Sequence, residues 1–443
     1  MRKVYVTALA GCLALGIAAP ALAGTRQDDL VMQLKQLVER QQEQLDRQAR
    51  EIAALREQFA RIAENGAARQ EEQKAKKKPE EGLTTTWKNG LRFTSDDKKF
   101  NIKLGGRVHL DWANIDADSP MQDTLAEAEG NPLEGNGFEF RRARLYVAGD
   151  IYSNVTFKVQ YDFAGGDADF RDVYVGLKKL PAVGTILFGQ QKEPFSLEYL
   201  TSSNYTTFME RSLPVAFGPG RNTGIKMFNT ALDRRLTWAI GWFDDADDFG
   251  DSFNDVSSSN VTMRLTGLPW YADNGAGLLH LGLSYSHQFR DEDSDITVRY
   301  RERPEAHISD ARMVNTGKIH ADGVDLAAFE LAAVYGPLSL QGEYLISSVD
   351  STEADDPDFS GYYVYGSWFI TGEHRPYKTG SGAFGRVKPI KDFAIGSDGW
   401  GAWEIALRYS DLDLGDAAIQ GGRLKDFTAG LNWYLNPNLR WML

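Results

Sequence analysis

The feature that most restricts the fold is a set of short segments in which apolar and charged residues alternate one by one. Asn101 to Trp112 is the cleanest: Ile102, Leu104, Val108, Leu110 and Trp112 share one face, and Lys103, Arg107, His109 and Asp111 the other. Successive side chains of a strand point to opposite faces, so this period marks strands between two unlike environments. In 138–149, Ala143, Leu145 and Val147 oppose Arg142, Arg144 and Tyr146. In 155–163, Val155, Phe157, Val159, Tyr161 and Phe163 oppose Lys158, Gln160 and Asp162. Later segments (326–335, 338–347, 403–410) put Glu330, Gln341, Glu343, Glu404 and Arg408 on the polar face. Every strand thus has one charged and one aliphatic-aromatic face, with no buried core between. A barrel that turns the apolar face to lipid and the charged face to a lumen accounts for this. The soluble alternative is a secreted β-sandwich or propeller.

The first 23 residues read as a secretory signal. Arg2 and Lys3 precede an apolar stretch from Val4 to Ala19, and Ala21-Leu22-Ala23 supplies a small-x-small cleavage site. Leu9-Ala10-Gly11-Cys12 has the form of a lipoprotein box, a weaker reading because only Val4 to Ala8 would lead into it. Cys12 is the sole cysteine, so removal of the signal leaves no disulfide, thiolate-metal site or catalytic thiol. Beyond the signal no run of eighteen apolar residues exists, which excludes a transmembrane helix.

Residues 24–64 are expected to form a coiled coil. Val31, Val38, Leu45, Ile52 and Phe59 recur every seven residues, and Leu34, Gln41, Gln48, Leu55 and Ile62 fill the second seam position. A lone amphipathic helix lying on another surface is the bland reading; the polar residues outside the seam favour self-association. Asn65-Gly66 ends the helix, and 65–86 reads as a charged linker. Its Lys74, Lys76, Lys77 and Lys78 read as a solvated tract; contact of this N-terminal region with peptidoglycan or anionic lipid is the alternative reading. The barrel is assigned to 87–443.

Long connections (114–137, 244–260, 289–324) alternate with tight ones (152–154, 336–337, 436–438), as outer loops alternate with periplasmic turns in outer-membrane barrels. Gly189 to Gly224 breaks the strand pattern while keeping Phe195, Tyr199, Tyr205, Phe208 and Phe217. An aromatic-rich connection of this length fits poorly with disorder. It is expected to fold into the lumen as a constricting loop over 193–223, the third outer loop. Counted this way, Leu439 to Leu443 is the start of a fifteenth strand, shorter than the 9–11 residues of a tilted span, which reads as a barrel whose last strand is missing. Counting 296–303 as a strand gives sixteen instead.

Residues 83–443 carry 35 Lys and Arg against 50 Asp and Glu. Charge alone would indicate a cation path, but many acids sit in loop-like runs (Asp244 to Asp255, Asp291 to Asp295, Glu353 to Asp358), and position outweighs the sum. The early strands offer a basic wall and the later ones an acidic wall; facing each other they would set up a transverse field.

Six phrases occur in order: RRARLYVAGDI (141–151), FGQQKEPFSLEYLTSS (188–203), FMERSLPVAFGPGRNTG (208–224), YGPLSLQGEY (335–344), GAWEIALRYSDLDL (401–414) and GLNWYLNPN (430–438). Together they resemble the phosphate-selective porin family, porins O and P, over about 87–443. The resemblance implies a trimeric sixteen-stranded barrel in the outer membrane of a Gram-negative bacterium, a third loop folded into the pore, and an anion path lined by arginine and lysine. Lys192 and Arg211 match the family pattern. With the inward cations of the strands, the expected anion-path residues are Arg107, Arg142, Arg144, Lys158, Lys192, Arg211 and Arg221. Family members usually continue past NPN to a strand ending in an aromatic residue; this chain stops at Leu443.

No enzyme is expected. Gly380 to Gly385 matches GxGxxG without a strand-turn-helix context. Asp245 to Gly250 lacks the ligand spacing of a calcium loop, and the six histidines have no metal spacing. Small anions, phosphate among them, outer-membrane lipid and two further copies of the chain are the expected partners, with no cofactor and no nucleic acid. The N-terminal helices would lie in the periplasm. A general or cation-preferring porin, and a structural tether working through the coiled coil, are the alternatives.

Overall fold

Alternation at residue 100 and beyond is realised as one antiparallel meander. The computed structural model describes residues 47, 50–62, 82–118, 135–252, 258–290, 297–353, 355–396 and 398–443. The expected signal segment, the heptads before Arg47 and the lysine tract lie outside the described residues. The chain divides into two units, 1–80 and 81–443. In the first, 50–62 is helical, and Ile52, Leu55, Phe59 and Ile62 are all exposed.

In the second unit the long strands are Phe100–Ile115, Gly135–Ile151, Val155–Asp162, Asp169–Leu180, Gly184–Lys192, Arg221–Ala231, Leu236–Asp244, Ser258–Ala272, Gly277–Arg290, Ile319–Tyr335, Leu338–Ser351, Asp358–Phe369, Ala402–Asp416 and Ile419–Asn436. The four-residue strand Leu439–Met442 follows. Each pairs with its neighbour in sequence, and Gly184–Lys192 is the fifth. Two boundaries differ from expectation. Leu83–Trp87, read as linker, is a strand paired with Leu91–Ser95; its Thr-Thr-Thr-Trp composition suits a pleated surface. The segment 296–303 adds no wall strand. Thr297–Val298 and Arg301–Glu302 are two-residue ladders within a loop, the first bridging to Ile319 and His320 and the second to Val314 and Asn315.

The outward face is apolar. Val108, Leu145, Leu265, Leu283, Leu331, Leu340 and Leu407 are exposed in an aliphatic band. Aromatic pairs flank it: Trp112 with Phe138 and Trp242 with Phe289 at the long-loop end, Trp270 with Tyr335 and Trp403 with Trp433 at the short-turn end. Aromatic girdles on an apolar band are the mark of a transmembrane barrel. No described helix is long and apolar enough to cross a membrane; the strands cross it.

The lumen holds a core, contrary to the expectation of none. Phe195, Leu213 and Phe217 of the third outer loop pack with Tyr300 and Val314 of a second inward loop and with Leu326, Leu345, Phe359, Leu412 and Leu424 of the later strands. Inward residues of Leu338–Ser351 and Asp358–Phe369 are therefore buried, whereas those of Phe100–Ile115 are only half-buried. Internal packing fills one side of the barrel, and the passage runs along the early strands. A third insertion, residues 370–401, enters from the opposite end. Every other connection at that end has two to four residues. It carries the GxGxxG match as the turn of the hairpin Tyr377–Lys378 and Ala383–Phe384, and Phe384 packs on Leu197 of the pore loop.

Candidate functional site: a basic passage beside the pore loop

The pore loop, residues 193–220, is seated by carboxylates on the later strands. It ends three residues earlier than expected, because Arg221 pairs in register with Lys192 and opens the next strand. Glu343 accepts the backbone N–H groups of Leu197 (2.8 Å) and Glu198 (2.7 Å) and the Tyr363 hydroxyl (2.5 Å). Glu198 accepts Ser212 N–H and Oγ–H at 3.0 and 2.6 Å and lies 3.5 Å from Arg408. Glu305, on the second inward loop, pairs with Arg408 and accepts Ser410 Oγ (2.6 Å), Thr428 Oγ1 (2.7 Å) and Leu213 N–H (3.2 Å). Glu330 pairs with Arg264 and His280, and Glu404 accepts from Asn432 and Tyr434. The side chains of all five are buried; Glu343 and Glu305 hold the loop directly, and Glu330 and Glu404 are spent on partners in the barrel wall. The expected acidic wall facing the basic one is overturned: the inward glutamates build the internal core side and do not line the passage.

At the loop's root, burial raises the Glu193 carboxyl to about 7 against the pull of Thr262, Asn222 and Asn260, which donate to it. Glu210, near the far end, is the opposite case. Burial would raise it, but Arg141 and Arg142 outweigh burial and hold it at about 2. Proximity of opposite charge decides both outcomes.

Six of the seven expected cations gather around the early strands and this loop. Arg107 donates to Ser203 Oγ at 2.7 Å and Ser202 Oγ at 3.3 Å. Lys192 donates to the Tyr199 carbonyl and lies over the Tyr199 ring. Arg211 reaches the carbonyls of Glu198 (3.1 Å), Tyr199 (3.4 Å) and Thr201 (2.9 Å) and the same ring. Lys158 and Arg221 share Asp172, the latter at 2.9 Å. Arg144 binds Asp162 at 2.6 Å. Arg142 is set apart, on Glu210 (3.4 Å) and on His109 Nδ1 (3.3 Å), whose Nε2–H donates to Asn204. Arg107, Lys192 and Arg211 thus form no ion pair among the described residues; they meet hydroxyls, carbonyls and the Tyr199 ring.

Arg141 was not expected to point inward. A bulge between His109 and Leu110 pairs His109 with Arg142 but Leu110 with Phe140, leaving Arg141 as the extra residue. Arg141 then turns in and grips Glu210 at 2.6 and 3.1 Å. The signal was present: the outward residues change from even (Phe138, Phe140) to odd (Ala143, Leu145) positions, and only an inserted residue allows that.

Sequence reading also missed Lys378 and Arg386, which the short-turn insertion carries to Tyr205 at the pore loop. Lys378 Nζ lies 4.5 Å and the Arg386 guanidinium 5.6 Å from its ring centre. A cavity of about 1740 Å³ borders this point, between the first long strand and the last. Lys103, Arg107, Lys158, Arg386 and Arg440 line it against one acidic side chain, Asp111, so basic side chains outnumber acidic ones there despite the acidic chain. Arg440 donates to Thr206 O at 2.7 Å while Arg107 holds Ser203, so the first long strand and the last strand meet the same loop.

The family profile for phosphate-selective porin O and P matches residues 102–443. The chain belongs to this family. It is therefore an outer-membrane porin, a channel built on a β-barrel. It is 30% identical over 364 residues to an uncharacterized protein of Caulobacter vibrioides, covering 81% of this chain and 70% of that one. It is 26% identical over 393 residues to Porin O of Pseudomonas aeruginosa, covering 80% and 84%. Among solved structures, the anion-selective porin from Comamonas acidovorans superposes with a TM-score of 0.44 at 14% identity, covering 75% of this chain and 84% of that one. OmpT of Vibrio cholerae in its trimer form gives 0.44 at 12%, covering 75% and 83%.

Proposed function

We propose that this porin conducts small anions by passive diffusion, with phosphate as the favoured species. The observation that carries the reading is the division of charge. Inward acids of the later strands are buried on the packed side, while Arg107, Lys192 and Arg211 meet hydroxyls, carbonyls and the Tyr199 ring and form no ion pair among the described residues. An ion beside them feels unneutralised positive charge in a medium less polar than bulk water. The exposed acids of the outer loops are screened by salt, whose screening length is about 8 Å at physiological ionic strength. Guanidinium groups favour phosphate because their planar fork matches two of its oxygens. One relative named Porin O and a family named for phosphate agree with this reading.

The test is the zero-current potential across a planar bilayer in a salt gradient. Anionic sign with saturation by phosphate supports the proposal; cationic sign replaces it with a general porin, and absence of conductance with a structural tether. The assembly reading is a homotrimer, joined below the membrane by the heptad segment whose seam residues Ile52, Leu55, Phe59 and Ile62 are uncovered in one chain. Deleting 24–64 should weaken the trimer and leave each barrel conducting.

A further inference from the structure

The insertion at 370–401 has a second half that leaves the lumen. After Glu373 accepts the Ile390 N–H at 2.8 Å, the chain turns to the outer face. Phe393 N–H donates to Leu435 O at 2.7 Å. The indole N–H groups of Trp403 and Trp433 both donate to the Trp400 carbonyl, at 3.2 and 2.8 Å. Those two indoles stack at 5.1 Å, and Phe393 meets Trp433 edge-on at 5.0 Å. The turn is thus pinned on the outward girdle at the short-turn end, which is the periplasmic end in outer-membrane barrels. It leaves Ile395 95%, Trp400 72% and Ile390 69% exposed. Single exposed apolar residues are ordinary; three on one short turn, continuous with Trp403 and Trp433, form a patch.

We propose that this turn is a lipid-anchoring wedge, with Ile390, Ile395 and Trp400 seated where acyl chains meet headgroups in the periplasm-facing phospholipid leaflet. Indole rings favour that level of a membrane, and it lies level with the girdle already there. The turn's charges balance, with Lys388 and Lys391 against Asp392 and Asp398, and Lys391 pairs with Asp398. That suits zwitterionic headgroups and gives no bias toward anionic ones. A second copy of the chain is the poorer occupant. One Trp and two Ile offer on the order of 500 Å², below the roughly 800 Å² per partner of a stable interface.

The test uses the full chain with Cys12→Ser and Ile395→Cys, labelled with a nitrobenzoxadiazole fluorophore and reconstituted in phosphatidylcholine vesicles. Unchanged conductance shows that the pore is folded, so failure here stays separate from failure of the anion reading. The expected result is quenching by phosphatidylcholine spin-labelled near the glycerol end, weaker quenching by lipid labelled near the chain terminus, and little by aqueous iodide. Quenching by iodide alone overturns the proposal, as does disulfide cross-linking of unlabelled Ile395→Cys between copies. If Ile395→Cys does not fold, Ile390→Cys carries the same readout.

Discussion

Glu343 Oε2 accepts the backbone N–H of Leu197 at 2.8 Å, so a side chain on the eleventh strand grips a loop that leaves the fifth. The loop is thereby held across the barrel, and its cationic edge is turned to the side where internal packing is absent. On the proposed reading, selectivity follows from where the acids are spent.

Replacing Arg107 and Lys192 together by glutamine should lower the anion-over-cation permeability ratio about tenfold, or about 1.4 kcal/mol. That is modest beside the roughly 4 kcal/mol between unit charges 4 Å apart at intermediate polarity. Both side chains keep a donor for Ser203 or Tyr199, so the loop should stay seated. Glu353→Gln with Asp355→Asn, in an exposed outer loop, should leave the zero-current potential unchanged.

Asp172 neutralises Lys158 and Arg221. Asp172→Asn should raise anion preference in the same measurement and slow anion exit, seen as saturation of conductance at lower phosphate. A shift toward cations would contradict the assigned geometry.

Arg408 is 1% exposed in its side chain and bridges Glu198 and Glu305. Arg408→Met strands two buried carboxylates, a loss of about 3–5 kcal/mol. Single-channel recordings should show a larger, noisier conductance as the loop leaves its seat. Adding Glu305→Gln should recover part of the quiet wild-type signal.

Glu193 titrates near 7 because burial opposes its charge. A carboxyl raised in the folded state contributes fully below its unfolded value near 4.5, and that contribution fades as pH rises to about 7. Glu193→Gln should therefore melt close to wild type at pH 4 and above it at pH 8, by up to about 3 kcal/mol. Equal melting temperatures at pH 8 would show that Asn222, Asn260 and Thr262 fully support the ionised form.

Strand order, outward face and pore loop were legible because each rests on a local period or its interruption. The alternation at 101–112 fixes which side Lys103 and Arg107 take, and the aromatics of 189–224 required something to pack on. The inward direction of Glu330, Glu343 and Glu404 was also legible; their burial was not, since it depends on a loop more than a hundred residues away in the chain. Arg141 could have been found from the even-to-odd change after Phe140. Lys378 and Arg386 had no such signal, because nothing in 370–401 alternates and its depth in the lumen is set by Tyr377 and Phe384 finding partners on other elements.

The Leu197 to Glu343 bond spans 146 residues. Until the eleventh strand has been added to the sheet, the loop has no seat, and contacts of such separation form late. A growing barrel must therefore pass through a stage that is already lipid-facing on its outside yet unplugged within. The narrow passage is the last part of the molecule to acquire its dimensions, and leakiness during biogenesis is bounded by how quickly the later half of the chain arrives.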